Sequence, residues 1–156
     1  MRKIWQIIPI IFFIMSNVSY AQDESPTTEE QYLKTIASFS SNNIYLSLTT
    51  ISVIKQNIEL DDDTTRYSNY SDVVNSVIFT IEDEIKKLGE ILEKQALNKD
   101  DNKFLKEIIK TLFSMKEDSK LLMTYLRTKA DEDFNKFNDY HKTVVESVEK
   151  LYSTNK

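Results

Sequence analysis

Residues that break regular structure are almost absent from this chain, and the shortage constrains its fold more than any other feature. Gly89 is the only glycine among the 156 residues, and the two prolines are Pro9 and Pro26. β-Sandwiches and dinucleotide-binding α/β domains both depend on glycine-rich turns. The sequence therefore favours an all-α fold, in which helices are joined by a few polar loops.

The first residues have the order of a secretory signal peptide. Arg2 and Lys3 precede an apolar run that is too short to span a bilayer, and small residues follow at Ser19 and Ala21. We therefore expect residues 1–21 to be a signal peptide and residues 22–156 to be a single helical-bundle domain. Such a protein is exported, either to the periplasm or outside the cell, and keeps no stable membrane span after signal cleavage.

The chain has no cysteine, although disulfides persist in exported proteins. Its stability must come from packing, and thiol nucleophiles, zinc–thiolate sites and covalent haem attachment are excluded. The net charge of −5 becomes more negative when Arg2 and Lys3 are removed. This charge argues against a nucleic-acid partner, since phosphates require clustered lysine and arginine.

The first predicted helix begins at Ser25–Pro26, with Ser25 as a cap, and ends near Leu60. Its segment 44–54 is rich in β-branched residues, so a strand remains an alternative there. A polar loop follows, and Asn69 or Ser71 is expected to cap the second helix. The apolar positions of that helix are spaced by three and four residues: Val74, Val77, Ile78, Ile81, Ile85, Leu88 and Leu92.

A short loop at residues 98–102 is expected before the third helix. The apolar spacing then continues to Tyr152 with hardly a break, and one helix over residues 102–152 would be about 75 Å long. That length exceeds a compact domain, so we predict a turn near residues 127–132. The predicted architecture is an antiparallel, up-down-up-down four-helix bundle. The alternative is a three-helix bundle with one long C-terminal helix.

His141 is the only histidine, and it lies on or beside the apolar stripe of the last predicted helix. A histidine late in the last helix of an exported bundle resembles the haem-b four-helix cytochromes of the periplasm. Those cytochromes also use a methionine early in the first helix, whereas the methionines here, Met115 and Met123, lie in the third. We therefore expect a part-buried histidine satisfied by a carboxylate or tyrosine, with haem or metal binding as the alternative.

No other pattern in the sequence indicates catalysis or a resident ion. A di-iron site needs more than one histidine. A Ser-His-Asp hydrolase is disfavoured because no serine lies in a glycine-flanked elbow. The acidic clusters lack the spacing of a calcium loop. We therefore expect no cofactor, no metal site and no enzymatic activity.

Two of the acidic clusters are candidates for a protein-binding surface. In an up-down-up-down bundle the first and third loops share one end, so Asp61, Asp62 and Asp63 are expected near the second cluster, residues 131–133, which includes Asp131 and Asp133. Tyr67 and Tyr70 border the first cluster and are expected to be exposed aromatic anchors. Most of the remaining aromatic residues that fit no single core are expected at rim or half-buried positions: Tyr32, Phe39, Tyr45, Tyr125 and Tyr152.

These features favour an exported, non-enzymatic bundle that binds another protein, in an inhibitor, chaperone or toxin-immunity-like role. An acidic surface suits a basic partner. One alternative is a haem- or metal-binding bundle that uses His141. Another is a secreted factor directed at a host or a membrane, for which residues 44–54 would be the membrane-active segment.

Overall fold

The structure, a computed structural model, describes residues 28–61, 63–94 and 97–153. Four helices account for nearly all of them: α1 Thr28–Leu60, α2 Tyr67–Lys94, α3 Lys99–Thr128 and α4 Asp131–Ser153. A 3-10 turn, Thr64–Arg66, precedes α2, and the described residues include no strand. The predicted all-α four-helix bundle is confirmed. The predicted signal peptide and the predicted Ser25 cap lie outside the described residues.

Side-chain hydrogen bonds show how α1 runs relative to α4, within the compact unit that begins at Tyr32. The Tyr152 hydroxyl, near the end of α4, donates to the Ser41 carbonyl at 2.7 Å. Eleven residues further along α1, Ser52 pairs with His141, which lies the same distance back along α4. The first and last helices are therefore antiparallel neighbours.

Three further contacts join the remaining neighbours around the bundle. α1 meets α2 where the Asn43 amide donates to Glu84. α2 meets α3 at the Glu82–Lys116 ion pair, and α3 meets α4 at the Asp118–His141 hydrogen bond. Each helix therefore packs against the two that lie beside it, as the up-down-up-down arrangement requires.

The core is a seam to which every helix contributes one stripe, and the predicted spacing of three and four residues generates those stripes. α3 lies deepest, since Leu105, Ile108 and Leu112 have almost no exposed surface. The stripe of α1 is less apolar because Ser40 and Ser47 occupy buried positions between its isoleucines. The largest side chains that are completely buried are Ile44, Ile51, Ile81, Leu105, Ile108, Leu112, Leu122 and Phe137.

The turn predicted near residues 127–132 is present, so the alternative with one long C-terminal helix is wrong. Lys129 has a left-handed φ of 57°, and its N–H donates to the Tyr125 carbonyl at 2.7 Å. Left-handed residues at this position end many helices, although glycine is the usual choice. The Thr128 hydroxyl then bonds Asp133 at 2.6 Å, which ties the end of α3 to the first turn of α4.

The segment 44–54 is helical, as predicted, so the strand alternative is wrong. Two helix starts differ from the sequence prediction. α2 begins at Tyr67, and Asp63, rather than Asn69 or Ser71, caps the 3-10 turn that leads into it. α3 begins at Lys99 because Asn98 accepts from the N–H groups of Asp100 and Asp101. Both caps satisfy backbone donors that a helix start leaves without partners.

Replacing Leu112 or Ile81 by alanine should lower the free energy of unfolding by about 2–5 kcal/mol, since each side chain is buried in the seam. Urea unfolding followed by circular dichroism measures this loss. Exposed Phe113, next to Leu112, is the matched control, and its alanine variant should change stability by less than about 0.5 kcal/mol. Losses below about 1 kcal/mol at both core positions would contradict the assignment of the seam.

Candidate functional site

The two acidic clusters of the predicted binding surface lie at one end of the bundle. Lys129, in the α3–α4 turn, places its ammonium 5.8 Å from the centroid of the Tyr67 ring, at the start of α2. The loops before Tyr67 and around Lys129 are therefore neighbours. Asp61 and Asp131 are exposed, while Asp63 and Asp133 are half-buried. Asp62 lies outside the described residues.

The half-buried acids of this end hold the local backbone. Asp63 accepts from the Thr65 N–H at 3.0 Å and from the Thr65 hydroxyl at 2.6 Å, and these bonds lower the pKa of its carboxyl. Arg66 forms an ion pair with the same carboxylate at 3.3 Å. Asp133 accepts from Thr128. The exposed Asp61 and Asp131 are therefore the acids best placed to meet a partner at this end.

Tyr67 is not the exposed anchor that the sequence suggested. Its side chain is buried, with 3% of the residue exposed, and its hydroxyl lies 2.8 Å from the hydroxyl of Tyr125. The expectation of exposure was wrong because Tyr67 continues the seven-residue spacing of Val74, Ile81 and Leu88 into the first turn of α2. That spacing was visible in the sequence. Tyr70 is half-buried against the core.

A chain of aromatic rings runs inward from Tyr67. Its neighbours are Tyr125 at 5.7 Å, then Phe134 a further 4.8 Å on, and then Phe137, which lies 6.1 Å from Phe134. The His141 ring follows at 5.3 Å from Phe137. Tilted contacts at these separations are favourable for aromatic side chains. The end of the bundle that carries the two acidic clusters therefore lies next to a layer of aromatic rings from α2, α3 and α4.

His141 is buried, and hydrogen bonds engage both of its ring nitrogens. Nδ1 lies 2.7 Å from Asp118 Oδ2, and Nε2 lies 3.0 Å from the Ser52 hydroxyl. The expected histidine satisfied by a carboxylate is present. A haem or metal ion could bind His141 only after one of these bonds was broken. The described residues contain no group of three or more side chains suited to hold a metal ion.

Ser52, His141 and Asp118 have the connectivity of a hydrolytic triad, but its surroundings differ from those of a nucleophile. Ser52 lies in the middle of α1, where backbone N–H groups donate along the helix. Acyl transfer also needs free donors that stabilise an oxyanion. The arrangement instead joins α1, α3 and α4 through one buried polar network.

Glu84 is a second buried acid, on α2. Burial raises the pKa of its carboxyl, and the polar groups of Ser40 and Asn43 oppose this effect. Asn43 donates to Oε2 at 3.0 Å, whereas Oε1 is buried without a hydrogen-bond partner. Its position, three residues after Ile81 and four before Leu88, places it on the seam of α2, although a charged residue is unusual there.

The outer side of α1 carries an apolar row that no described residue covers. It consists of one residue in every seven along the helix, and each is between 47% and 75% exposed: Tyr32, Phe39, Leu46, Val53 and Leu60. Seven residues make close to two helical turns, so the five side chains lie along one side. The expectation of rim or half-buried positions is wrong for Phe39, which is 61% exposed.

The same stretch of α1 is unusual in its lack of charge. Residues 35–54 include no aspartate, glutamate, lysine or arginine, although charged residues make up 29% of the chain. A solvated helix face is normally charged, and depletion of charge is typical of the centre of an interface. No described helix is long and apolar enough to cross a membrane.

Comparison with known proteins adds no further identification. No protein-family model matches the chain, and no curated protein or solved structure matches it significantly.

Asp118→Ala should destabilise the protein by about 1–3 kcal/mol, because it leaves the buried His141 Nδ1 without its partner. Asp118→Asn keeps an oxygen that can accept from Nδ1 and should cost less. Urea unfolding of the two variants and the wild type measures the difference. Equal losses would mean that packing, rather than the hydrogen bond, is what Asp118 contributes.

Glu84→Gln should make the protein more stable than the wild type at neutral pH. A raised pKa means that folded Glu84 holds its proton more tightly than unfolded Glu84. Its contribution is therefore full below pH 4.5 and is lost as the pH rises through the folded value. Glutamine does not titrate, so its advantage should be largest near pH 7 and shrink towards pH 4. The charges that act on Glu84 are those of Lys87 and Asp83.

Glu82→Gln is the matched control for this pH dependence, since it lies on the same helix. The hydrogen bond from Lys116 lowers the pKa of Glu82, so its contribution is present at neutral pH and is lost as the pH falls through the folded value. This variant should therefore be slightly less stable than the wild type at pH 7. Urea midpoints at pH 7 and pH 4 test both, and shifts of the same sign would contradict the assignment.

Proposed function

We propose that this protein is an exported, non-enzymatic helical bundle that binds a helical segment of another protein along the outer side of α1. The observation that carries the proposal is the row Tyr32, Phe39, Leu46, Val53 and Leu60, which is apolar, exposed and regularly spaced. Scattered exposed hydrophobic residues are common, whereas a regularly spaced row along one side of a helix favours an interaction site.

The spacing of the row favours a helix as its occupant. Seven-residue repeats are how one helix packs along another, with each apolar side chain entering a gap on the facing helix. From Tyr32 to Leu60 the row extends about 42 Å at 1.5 Å per residue. Full burial of one such side chain is worth roughly 1.5–3 kcal/mol, so a few well-packed contacts can support specific binding.

A protein suits this face better than a lipid bilayer. Helices that lie in a membrane interface carry lysine and arginine on their polar side, which anionic headgroups attract. Residues 35–54 have neither. Uncharged polar residues lie between the members of the row instead, among them Asn42, Thr49 and Gln56. Such residues can form hydrogen bonds at the rim of a protein interface.

The net charge of −5 favours a basic partner, because complementary charge accelerates association. Asp61 and Asp131 at the acidic end are exposed and would contribute to this steering. An inhibitor, chaperone or toxin-immunity-like role remains the proposed biological setting. A haem- or metal-binding function through His141 is less well supported, since both ring nitrogens are already hydrogen-bonded.

The double variant Phe39→Ser, Leu46→Ser should weaken partner binding by at least roughly thirtyfold, the loss expected when interface anchors worth about 2 kcal/mol are removed. The partner is first captured from envelope and medium with the wild type, and dissociation constants are then measured by titration. Both positions are exposed, so urea unfolding should show almost unchanged stability.

Phe113→Ser is the matched control, because Phe113 is 53% exposed but lies on α3. It should leave binding unchanged. Equal binding by the double variant and the wild type would overturn the proposal. Self-association of the purified protein that the double variant abolishes would instead identify a second copy as the occupant, and binding to anionic vesicles would identify a membrane.

A further inference from the structure

A cleft of about 490 Å³ lies between the N-terminal half of α1 and the C-terminal half of α2. This volume is within the usual range for small-ligand sites. Apolar side chains from both helices form most of its lining: Tyr32, Ile36, Phe39, Leu88 and Ile91. Ser40 and Glu84 also line the cleft, although each is almost completely buried.

Glu84 is the feature that distinguishes this cleft from an ordinary groove between helices. Only 5% of the residue is exposed, and its Oε1 atom has no hydrogen-bond partner. The hydroxyl of Ser40 is buried as well, and it acts on the Glu84 carboxyl without forming a hydrogen bond of regular geometry. A buried carboxylate oxygen that lacks a donor is costly, because it has lost its water without a replacement.

The charge of Lys87 acts on Glu84 from a distance, but each lysine that lines the cleft forms its ion pair with another acid on its own helix. Lys87 lies 2.5 Å from Asp83, and Lys94 lies 3.2 Å from Glu90. The cleft therefore combines apolar walls with two buried oxygen acceptors. The lysines that line it form their ion pairs with Asp83 and Glu90 and not with Glu84. A ligand that fits this chemistry has a positively charged donor on an apolar stem.

We propose that the α1–α2 cleft binds a primary alkylammonium group, whose nitrogen donates to Glu84 Oε1 and Ser40 Oγ while its stem packs against the apolar walls. An ammonium has three donors, so it can satisfy both oxygens at once. Charge-assisted hydrogen bonds of this kind are about twice as strong as neutral ones. Glu84 and Ser40 would provide this site whether or not the row on α1 binds a partner helix.

An ammonium can reach these oxygens only after a side-chain movement, because Glu84 Oε1 and Ser40 Oγ are both buried. The terminal torsion of a glutamate is broad, so its carboxylate can turn one oxygen towards the cleft at little cost. Asn43 can then donate to whichever oxygen remains inside. The same chemistry could come from a free amine or from a lysine side chain of a bound protein, since both present an ammonium on a methylene chain.

The test is a titration of the full chain, followed by NMR chemical shifts, with n-hexylammonium and with the uncharged 1-hexanol. Hexylammonium should bind more tightly than hexanol, and Glu84→Gln should weaken it roughly tenfold or more by removing the charged acceptor. Glu82→Gln removes the same charge from an exposed position on α2 and should leave binding unchanged. Ser40→Ala should weaken binding less than Glu84→Gln does.

A second arm uses N-acetyl-lysine N-methylamide, which presents the ammonium as a protein would. Binding of hexylammonium alone would identify a free amine as the ligand, and binding of both probes would identify a lysine side chain as an acceptable source. Equal binding of hexylammonium and hexanol, or equal binding to Glu84→Gln and the wild type, would overturn the proposal. Leu46 belongs to the exposed row on α1 but does not line the cleft. Leu46→Ser should therefore leave the binding of both probes unchanged, so a failure of the helix-docking proposal can be distinguished from a failure of this one.

Discussion

Burial of one continuous aliphatic seam is the interaction on which the rest of this bundle depends. The chain has no cysteine, so no disulfide supports the packing. α3 supplies the deepest part of the seam through Leu105, Ile108 and Leu112, and α2 and α4 pack on either side of it. Each helix needs only one apolar stripe to take part, which leaves its remaining surface open to other uses.

Buried polar groups then determine how α1 sits on the other three helices. Its stripe contains Ser40 and Ser47, so aliphatic contact alone defines its position less sharply than it does for α3. The Ser52–His141–Asp118 network gives α1 a specific partner on α4, and Asn43–Glu84 gives it one on α2. Directional bonds of this kind fix register, because a shift along the helix would leave each buried group without a partner.

α1 is also where both proposed sites lie. Its inner stripe belongs to the core, its outer row is exposed, and one edge of that row borders the cleft that contains Glu84. Phe39 and Tyr32 belong to both the row and the cleft. A helix with two apolar sides and an uncharged stretch departs from the pattern of α2, α3 and α4. Such local departures from folding rules are expected where a surface is shaped for binding.

The four helices, their apolar seams and the turn near residues 127–132 could all be predicted from the sequence. These features follow from spacing along the chain, and a stripe such as Val74, Ile81 and Leu88 is defined by neighbours a few residues apart. The shared end of the two acidic clusters also followed, because an up-down-up-down bundle places its first and third loops together. Even the burial of Tyr67 was implied by that spacing.

The pairing of the buried polar groups could not be predicted from the sequence, because it depends on how the helices pack. Asp118 and His141 are 23 residues apart, Ser52 and His141 are 89 apart, and Asn43 and Glu84 are 41 apart. Local periodicity places each of them on a side of its helix, but it does not say which residue faces it from another helix. That choice depends on the rotation and axial offset of packed helices. These are set by how all four stripes fill the core together, a property that no single segment of the sequence contains.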